Sequence, residues 1–200
     1  MSITEAVDQV IQQRRSIYTN MFSGEAVDDA IVEKMIENAN WAPTHKLTEP
    51  WRFVVFKDDG LRQLGNFQAE LYQQVAEKEG NFNEEKYMKF KHKPLECSHV
   101  IAIGLQRNDV VPGVEEVCAV ACAVQNMWLT ASAHKVGCYW STGGVTFYEE
   151  AKSFFGLGAE DQLLGFLYIG QPKNDRWPNG KRKPISDKVK WVTQNPSACR

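Results

Sequence analysis

The sequence of 200 residues lacks the signatures of several protein classes. No apolar run approaches the roughly 20 residues of a membrane-spanning helix, and the polar, amphipathic residues 1–13 do not resemble a signal peptide. Charged residues at 24% and aromatic residues at 11% are ordinary globular values, which excludes a disordered chain. At about 150 residues per domain we expect one domain, large enough to fold without a disulfide or a metal staple.

Cysteines and catalytic motifs are also scarce. The five cysteines include no C-x-x-C pair, which favours reduced thiols and a cytoplasmic location. The dinucleotide, phosphate-loop, zinc-protease and nucleophile-elbow motifs are missing from the sequence, and the four histidines lack metal-ligand spacing. Cys118 and Cys122 share the apolar face of a predicted helix, so we expect small core residues there instead of metal ligands. Any chemistry is expected to come from a bound cofactor.

The charge is unevenly distributed along the chain. Residues 171–200 contain eight basic and two acidic residues, a net charge of +6, whereas residues 1–170 carry 15 basic and 23 acidic residues, a net charge of −8. The tail could be a nucleic-acid arm, a strap that docks on the acidic body, or the source of a phosphate ligand. We favour docking, because Trp177, Ile185 and Trp191 would not be needed in a solvated arm. Nucleic-acid binding is disfavoured, since it needs many cations on one surface.

Hydrophobic periodicity predicts helices and strands without a strict βαβ rhythm, which favours a sheet wrapped by helices and an extended tail. Ser2 and Glu5 have the spacing of a capping box, and a second helix begins near Asp28 and stops before Pro43. Gly137 is the expected C-terminal cap of the most apolar helix. The other predicted elements are a helical region at 61–93 with a weak break at 80–83, helices at 114–135 and 147–155, and strands at 51–56, 100–105, 138–141 and 163–169.

Three segments are candidate binding sites. Arg14, Arg15 and Ser16 offer two guanidinium groups and a hydroxyl to a phosphate dianion, or simply complement the dipole at the end of a helix. Residues 41–51 form a proline-bracketed loop that could bind a ligand or could be an ordinary turn. Residues 137–144 are a short strand that ends in small residues, whose backbone N–H groups a ligand could approach; a plain glycine turn is the alternative.

The order of these segments resembles the nitroreductase family of FMN-dependent oxidoreductases, over essentially the whole chain. The resemblance rests on R-R-S at 14–16, A-P-T-H-K-L-T-E-P-W-R-F at 42–53, H-K-V-G-C-Y-W-S-T-G-G at 134–144, G-L-G-A-E-D-Q-L-L-G-F-L-Y-I-G-Q-P at 156–172 and G-K-R-K-P at 180–184. The short length is similar to the compact subgroup that has no long lid insertion. The implied fold is α+β, with a mainly antiparallel sheet flanked by helices.

The resemblance implies FMN at the interface of an obligate homodimer, used in turn by NADH or NADPH and by a small electron-poor acceptor. It assigns nine residues to the cofactor and none to a metal. The phosphate and ribityl chain would be held by Arg14, Arg15 and Ser16, with a further charge from Arg182. The flavin of the other subunit would be reached by Trp41 and His45. The flavin ring would lie along Trp140, Ser141 and Thr142, with a backbone N–H near N5.

The resemblance also implies a domain at residues 1–170, with a basic C-terminal extension at 171–200 that belongs to the same domain and crosses to the partner. The chain departs from the family pattern in two places. Tyr18 stands where many members carry a basic residue, and Lys46 is our substitute for that charge near flavin N1 and O2. The second departure is Glu49, which replaces the glutamine of the common Asn-x-Gln-Pro-Trp with a carboxylate that would either reshape acceptor preference or pair with Arg52. The other activities that remain open are a specialised flavin enzyme on this scaffold, such as a dehydrogenase or dehalogenase, and a non-catalytic flavin-binding protein. We expect no nucleic-acid or membrane partner.

Overall fold

The computed structural model describes residues 1–174 and 177–193, and its centre is a four-stranded antiparallel sheet. Along the sheet the strands follow the order β1-β2-β4-β3, and every neighbouring pair is antiparallel. The strands are β1 (Trp51–Lys57), β2 (His99–Leu105), β3 (Gly137–Ser141) and β4 (Gln162–Gly170). The predicted α+β class with an antiparallel sheet is therefore confirmed.

Helices cover both faces of this sheet. Ser2 caps the first helix in the predicted capping box with Glu5, and the Asp28 carboxylate caps the second. The α-helices of the described residues are α1 (Ile3–Gln13), α2 (Asp29–Ala39), α3 (Asp59–Lys78), α4 (Glu84–His92) and α5 (Gly113–Ala133). Short 3₁₀ segments are Thr19–Met21, His45–Leu47, Lys93–Glu96, Gly144–Phe147, Glu149–Phe155 and Ile185–Lys188.

Strand β2 lies at the middle of the core and is buried on both faces. Because side chains alternate along a strand, Ile101, Ile103 and Leu105 join the cluster formed with α2 and α5, whereas Val100 and Ala102 join the cluster formed with α3. The continuous apolar run in the sequence reflects this burial on both sides.

The end of α5 differs from the prediction. His134 is the C-cap, and Lys135 with φ 57° makes the left-handed turn that was expected of Gly137. Gly137 instead opens β3, where a Cβ atom would lie 2.9 Å from the Phe22 ring. The predicted helix at 147–155 is also replaced by 3₁₀ segments, so both deviations concern short connections whose geometry depends on packing.

The prediction that Cys118 and Cys122 are core residues is wrong for this chain. Both thiols are exposed, together with Val114, which is 69% exposed on the same helix. Helix α5 is apolar on all sides, but α2 and the sheet cover only one of its faces. Helix α1 likewise contains no buried residue, and Ile3 is 83% exposed. Two apolar helix faces are therefore bare in a single chain.

The loop before α5 is fixed by a buried ion pair. Glu116 is 1% exposed, and its carboxylate accepts hydrogen bonds from the Arg107 guanidinium and, at 3.0 Å, from the Asn108 N–H. A buried carboxylate needs such partners, because an unpaired charge would be costly. The pair holds the loop in place at the start of α5.

The tail begins by packing on its own chain. Lys173 N–H donates to the Met21 carbonyl at 2.9 Å, and Ser23 N–H donates to the Gln171 carbonyl at 2.8 Å. Further along, Trp191 is 84% exposed. Residues 175, 176 and 194–200 of the predicted extension lie outside the described residues, and the domain division at residue 170 stays a prediction. Among the described helices, none combines the length and apolar character required to cross a bilayer.

Candidate active site

The chain leaves α1 and joins the edge of the sheet at the predicted R-R-S segment. Ile17 N–H donates to the Cys138 carbonyl at 2.9 Å, and Ser16 forms a parallel bridge with Cys138 of β3. The Arg14 guanidinium carbon lies 4.4 Å from the centroid of the Trp128 ring on α5. The segment is thus held between the start of β3 and the second half of α5.

Arg14, Arg15 and Arg182 form an arginine cluster around this point. The Nη1 atom of Arg14 is buried and has no hydrogen-bond partner within residues 1–174 and 177–193. Burial lowers the pKa of Arg14, and the positive charges of Arg182 and Arg15 lower it further. No ion pair joins any of the three to a carboxylate of the described chain. Such a cluster is suited to bind an anion.

Arg15 has a different position from Arg14. Its Nε donates to the Pro178 carbonyl at 2.8 Å, and its Nη1 donates to the carbonyls of Gln12 and Arg14 at 2.6 and 2.8 Å. These bonds occupy most of its donors and attach the tail to the end of α1. Arg14 and Arg182 therefore have more donors for a ligand than Arg15 has.

Strand β3 continues from its bridge with Ser16 to Trp140 and Ser141. Trp140 Nε1 donates to the Leu164 carbonyl at 3.0 Å, at a bulge in β4 where Gly165 has φ 117°. A side chain at Gly165 would overlap the Ser141 carbonyl oxygen, so this position requires glycine. Beyond it Thr142 is exposed, and neither the Ser141 nor the Thr142 hydroxyl is hydrogen-bonded to a described residue. Trp140 and Ser141 belong to β3, the strand that bridges to Ser16, and Thr142 follows its last residue.

Trp41 and His45 lie elsewhere. His45 Nδ1 is hydrogen-bonded to Glu115 in the first turn of α5, whereas Trp128 lies 13 residues later on the same helix. At 1.5 Å per residue the two contact points are about 20 Å apart along the axis. Trp41 is 85% exposed. A single chain therefore does not bring these two residues to the arginine cluster.

The loop that carries His45 is held in an unusual conformation. Lys46, Leu47 and Glu49 have φ values of 52°, 54° and 43°, although none is glycine. Each such residue costs on the order of 1 kcal/mol. The Thr44 hydroxyl accepts a hydrogen bond from the Glu49 N–H at 3.1 Å and lies 3.1 Å from the Thr48 hydroxyl, which holds the turn together.

Lys93 is a candidate that the sequence did not indicate. Its Nζ lies 4.2 Å from the centroid of the Tyr168 ring and 5.0 Å from that of Tyr139, and burial lowers its pKa. Tyr139 in turn lies 4.6 Å from Tyr18, ring centroid to ring centroid. Lys93 therefore supplies a cation near position 18. The side chain of Lys46 instead donates to the Val110 carbonyl at 3.1 Å, on the loop before α5.

Comparisons with known proteins agree with this architecture. A protein of Bacillus subtilis (strain 168), provisionally named NAD(P)H nitroreductase YfhC, is 29% identical over 182 residues, which cover 90% of each chain. The crystal structure of a nitroreductase-like family protein from Bacillus cereus superposes with a TM-score of 0.78 at 25% identity, covering 96% of this chain and 98% of that one. A nitroreductase-type protein of Desulfovibrio desulfuricans, solved in complex with FMN, has a TM-score of 0.71 at 24% identity, with coverages of 94% and 98%. Since the sequence model of the Nitroreductase family matches residues 11–171, the chain belongs to that family.

Proposed function

We propose that the protein is an FMN-dependent oxidoreductase that transfers two electrons from NADH or NADPH to a small electron-poor acceptor. A nitroaromatic compound or a quinone would be such an acceptor, and the nicotinamide and the acceptor would use one site in turn, by a ping-pong mechanism. The observation that carries the proposal is the buried, unpartnered Nη1 of Arg14 beside Arg182, in a chain of the Nitroreductase family. The Desulfovibrio desulfuricans relative of the same fold is solved with FMN.

The residues present fit a flavin mononucleotide. A phosphate dianion would satisfy the orphan donor of Arg14 and relieve the repulsion between Arg14 and Arg182. The Ser16 hydroxyl, which has no hydrogen bond to the described chain, is available as a further donor. Arg15 holds the tail through its bond to Pro178 and thereby keeps Arg182 near the site. Trp140, Ser141 and Thr142 would line the ring beyond the ribityl chain.

A homodimer would complete the site. The arginine cluster and the loop with Trp41 and His45 lie about 20 Å apart along α5, so each chain would contribute one part of each of two sites. The bare apolar faces of α1 and α5 offer the surface that two copies could bury against each other, with the exposed Trp191 segment crossing to the partner.

A positive charge is expected near N1 and O2 of the flavin, and the packing favours Lys93 over Lys46 as its source. Lys93 lies next to Tyr139, which contacts Tyr18, whereas Lys46 is held by the Val110 carbonyl. Lys93→Met should lower the flavin reduction potential more than Lys46→Met does. An equal or larger effect of Lys46→Met would return the role to Lys46.

When bound, FMN would supply the reversible two-electron redox chemistry that the side chains lack. The chain itself would contribute binding and orientation, through the arginine cluster, the end of β3 and the 41–50 loop. A cytoplasmic location remains a prediction from cysteine usage.

The test is the visible absorption spectrum of the purified protein, recorded before and after anaerobic addition of NADH or NADPH. We expect flavin bands that bleach with at least one nicotinamide and return when 1,4-benzoquinone is added. Bands that bleach only with dithionite would favour a specialised flavin enzyme or a non-catalytic flavin-binding protein. A colourless protein that does not take up added FMN would refute the proposal.

A further inference from the structure

His45 and Glu115 form an imidazole–carboxylate pair at the start of α5. His45 Nδ1 is hydrogen-bonded to Glu115 Oε2, and their side chains are 50% and 43% exposed. Glu115 lies in the first turn of α5, where the helix dipole favours a negative charge. Because the carboxylate accepts, Nδ1 carries the proton of this bond and Nε2 is the ring nitrogen that remains for a ligand.

In a single chain the pair borders an open cavity of about 360 Å³, on the face of α5 that would meet the partner in the proposed dimer. Its other walls are apolar or small, and they are formed by Pro43, Thr44, Val114, Cys118, Ala119 and Cys122. Within the described ranges Nε2 of His45 makes no hydrogen bond, so a ligand in the cavity could receive one from it. The other titratable or charged groups on the surrounding elements are Lys46, Glu49, Arg52, Arg107, Asp109, Glu116, Cys118 and Cys122, of which Arg107 and Glu116 pair with each other.

The backbone around His45 holds the imidazole in place. Lys46, Leu47 and Glu49, which follow His45, have left-handed φ values. The Thr44 hydroxyl closes the turn by accepting a hydrogen bond from the Glu49 N–H. Strained turns that are pinned by their surroundings are common at ligand sites. Lys46, the next residue, is fixed by the Val110 carbonyl, on the loop that the Glu116 ion pair anchors. The imidazole is therefore presented by a rigid turn and oriented by Glu115.

We propose that His45 is the general acid for the acceptor, with Glu115 as the residue that positions its ring. The inference rests on the proposed function and adds to it the source of one proton. Reduction of a quinone to a hydroquinone takes up one hydride and one proton, and reduction of a nitro group to a nitroso group with loss of water takes up the same two. The hydride derives from NAD(P)H through the cofactor of the proposed function. The proton passes from Nε2 of the imidazolium to an acceptor oxygen, and solvent then reprotonates the ring.

This role requires a group that changes protonation near neutral pH, which a histidine does. The other groups that line the cavity are less suited. A thiol is in general a weaker acid than an imidazolium. The Thr44 hydroxyl does not titrate, and it already takes part in the turn.

The test separates the two half-reactions in the FMN-loaded protein. Flavin reduction by NADPH and reoxidation by 1,4-benzoquinone or 4-nitrobenzoate are followed by stopped-flow absorption between pH 5 and 9, for wild type, His45→Gln, Glu115→Gln and the control His134→Gln. His134 is an exposed histidine at the opposite end of α5. Both variants near the cavity replace partly exposed side chains, so folding should be retained.

We expect His45→Gln to slow acceptor reduction roughly 100-fold or more and to remove its decline at high pH, since general acids contribute about 10²–10⁴-fold. His134→Gln should match wild type throughout. Because the loop of His45 is also proposed to reach the flavin, FMN affinity and the NADPH step of His45→Gln are measured in the same samples, and acceptor reduction is compared at saturating FMN. Glu115→Gln should slow acceptor reduction less, and the ring resonances of His45 in an NMR titration of the oxidised holoprotein should differ between this variant and wild type.

Two results would overturn the inference alone. One is an unchanged reoxidation rate and pH profile in His45→Gln while NADPH still reduces the flavin. The other is a loss of FMN affinity in His45→Gln with an unaltered pH profile, which would make His45 a cofactor contact only. If wild-type protein binds no FMN, the proposed function fails instead, whatever the NMR titration of His45 gives.

Discussion

Arg14→Met tests the arginine cluster as a phosphate site. The substitution removes the guanidinium, of which Nη1 is buried, but keeps an unbranched apolar side chain against Trp128. Without FMN, Arg14→Met should change the free energy of unfolding only slightly, because two effects oppose each other. Methionine relieves the burial of a charge and its repulsion from Arg182, whereas it forfeits a cation–π contact of about 0.5–1 kcal/mol. We expect the free energy of unfolding to stay within about 1 kcal/mol of wild type.

Arg14→Met should weaken the binding of FMN much more than it changes the stability of the free protein. Nη1 of Arg14 would have its partner only in the complex, and a hydrogen bond to a charged group contributes about 1.5–3 kcal/mol. At 1.4 kcal/mol per factor of ten, the dissociation constant of FMN should rise roughly 10- to 150-fold. Since the contact is ionic, the difference in FMN dissociation constant between wild type and Arg14→Met should decrease as salt is added.

The assay is a fluorescence titration of FMN with apoprotein, together with urea unfolding of the same samples. Arg62→Met is the matched control, because Arg62 is an exposed arginine of α3 paired with Asp59 and remote from the cluster. An unchanged FMN affinity in Arg14→Met would refute the reasoning. So would a loss of several kcal/mol in the apoprotein, which would mean that Arg14 is a structural residue whose orphan donor has no ligand.

Three further substitutions test the scaffold, each by urea unfolding. Glu116→Ala should cost about 3 kcal/mol, since it leaves a partly buried arginine unpaired; a cost below 1 kcal/mol would contradict this. Gly165→Ala should lower the free energy of unfolding by about 3 kcal/mol or more. Gly24→Ala should lower it by only about 1 kcal/mol, because Gly24 also has a positive φ but has open space around it. Equal losses would show that the overlap at Gly165 is harmless. The hydrogen bond from Lys57 holds the pKa of Asp29 below its usual value of about 3.9, so the stability that Asp29 contributes is present above that pH and is lost as the pH falls through the lower, folded-state pKa. The difference in free energy of unfolding between wild type and Asp29→Asn should therefore shrink in acid, and a constant difference would exclude the linkage.

Much of the fold was predictable because local signals and packing agree. The capping box at Ser2, the Asp28 cap and the buried run of β2 all specify their elements within the segment itself. The end of α5 was not predictable in the same way. Lys135 takes the turn because Gly137 is needed beside Phe22, and that contact joins residues more than 100 positions apart.

From residue patterns alone, the candidate site could be predicted only where its residues are contiguous; Arg182 was named because of the family resemblance. Arg14 and Ser16 stand together in the sequence, whereas Lys93 lies in a long helical region and is distinguished only by the rings of Tyr139 and Tyr168. The contact of His45 with Glu115 spans 70 positions and left no local pattern. For Cys118 a local pattern was present but led to a wrong prediction of a core residue. Apolar periodicity identifies a helix face that must be covered, but it does not say whether the same chain covers that face.

The distance between the arginine cluster and the His45 loop has a consequence for cofactor retention. If each FMN contacts both chains of a dimer, binding and association are thermodynamically linked, and each must strengthen the other by the same factor. Dilution would then release flavin and separate subunits together, and added FMN would shift the midpoint of dimer dissociation to lower protein concentration. The yellow colour of a preparation would then report the fraction of dimer. Overnight dialysis of a dilute sample would remove the flavin and dissociate the dimer together.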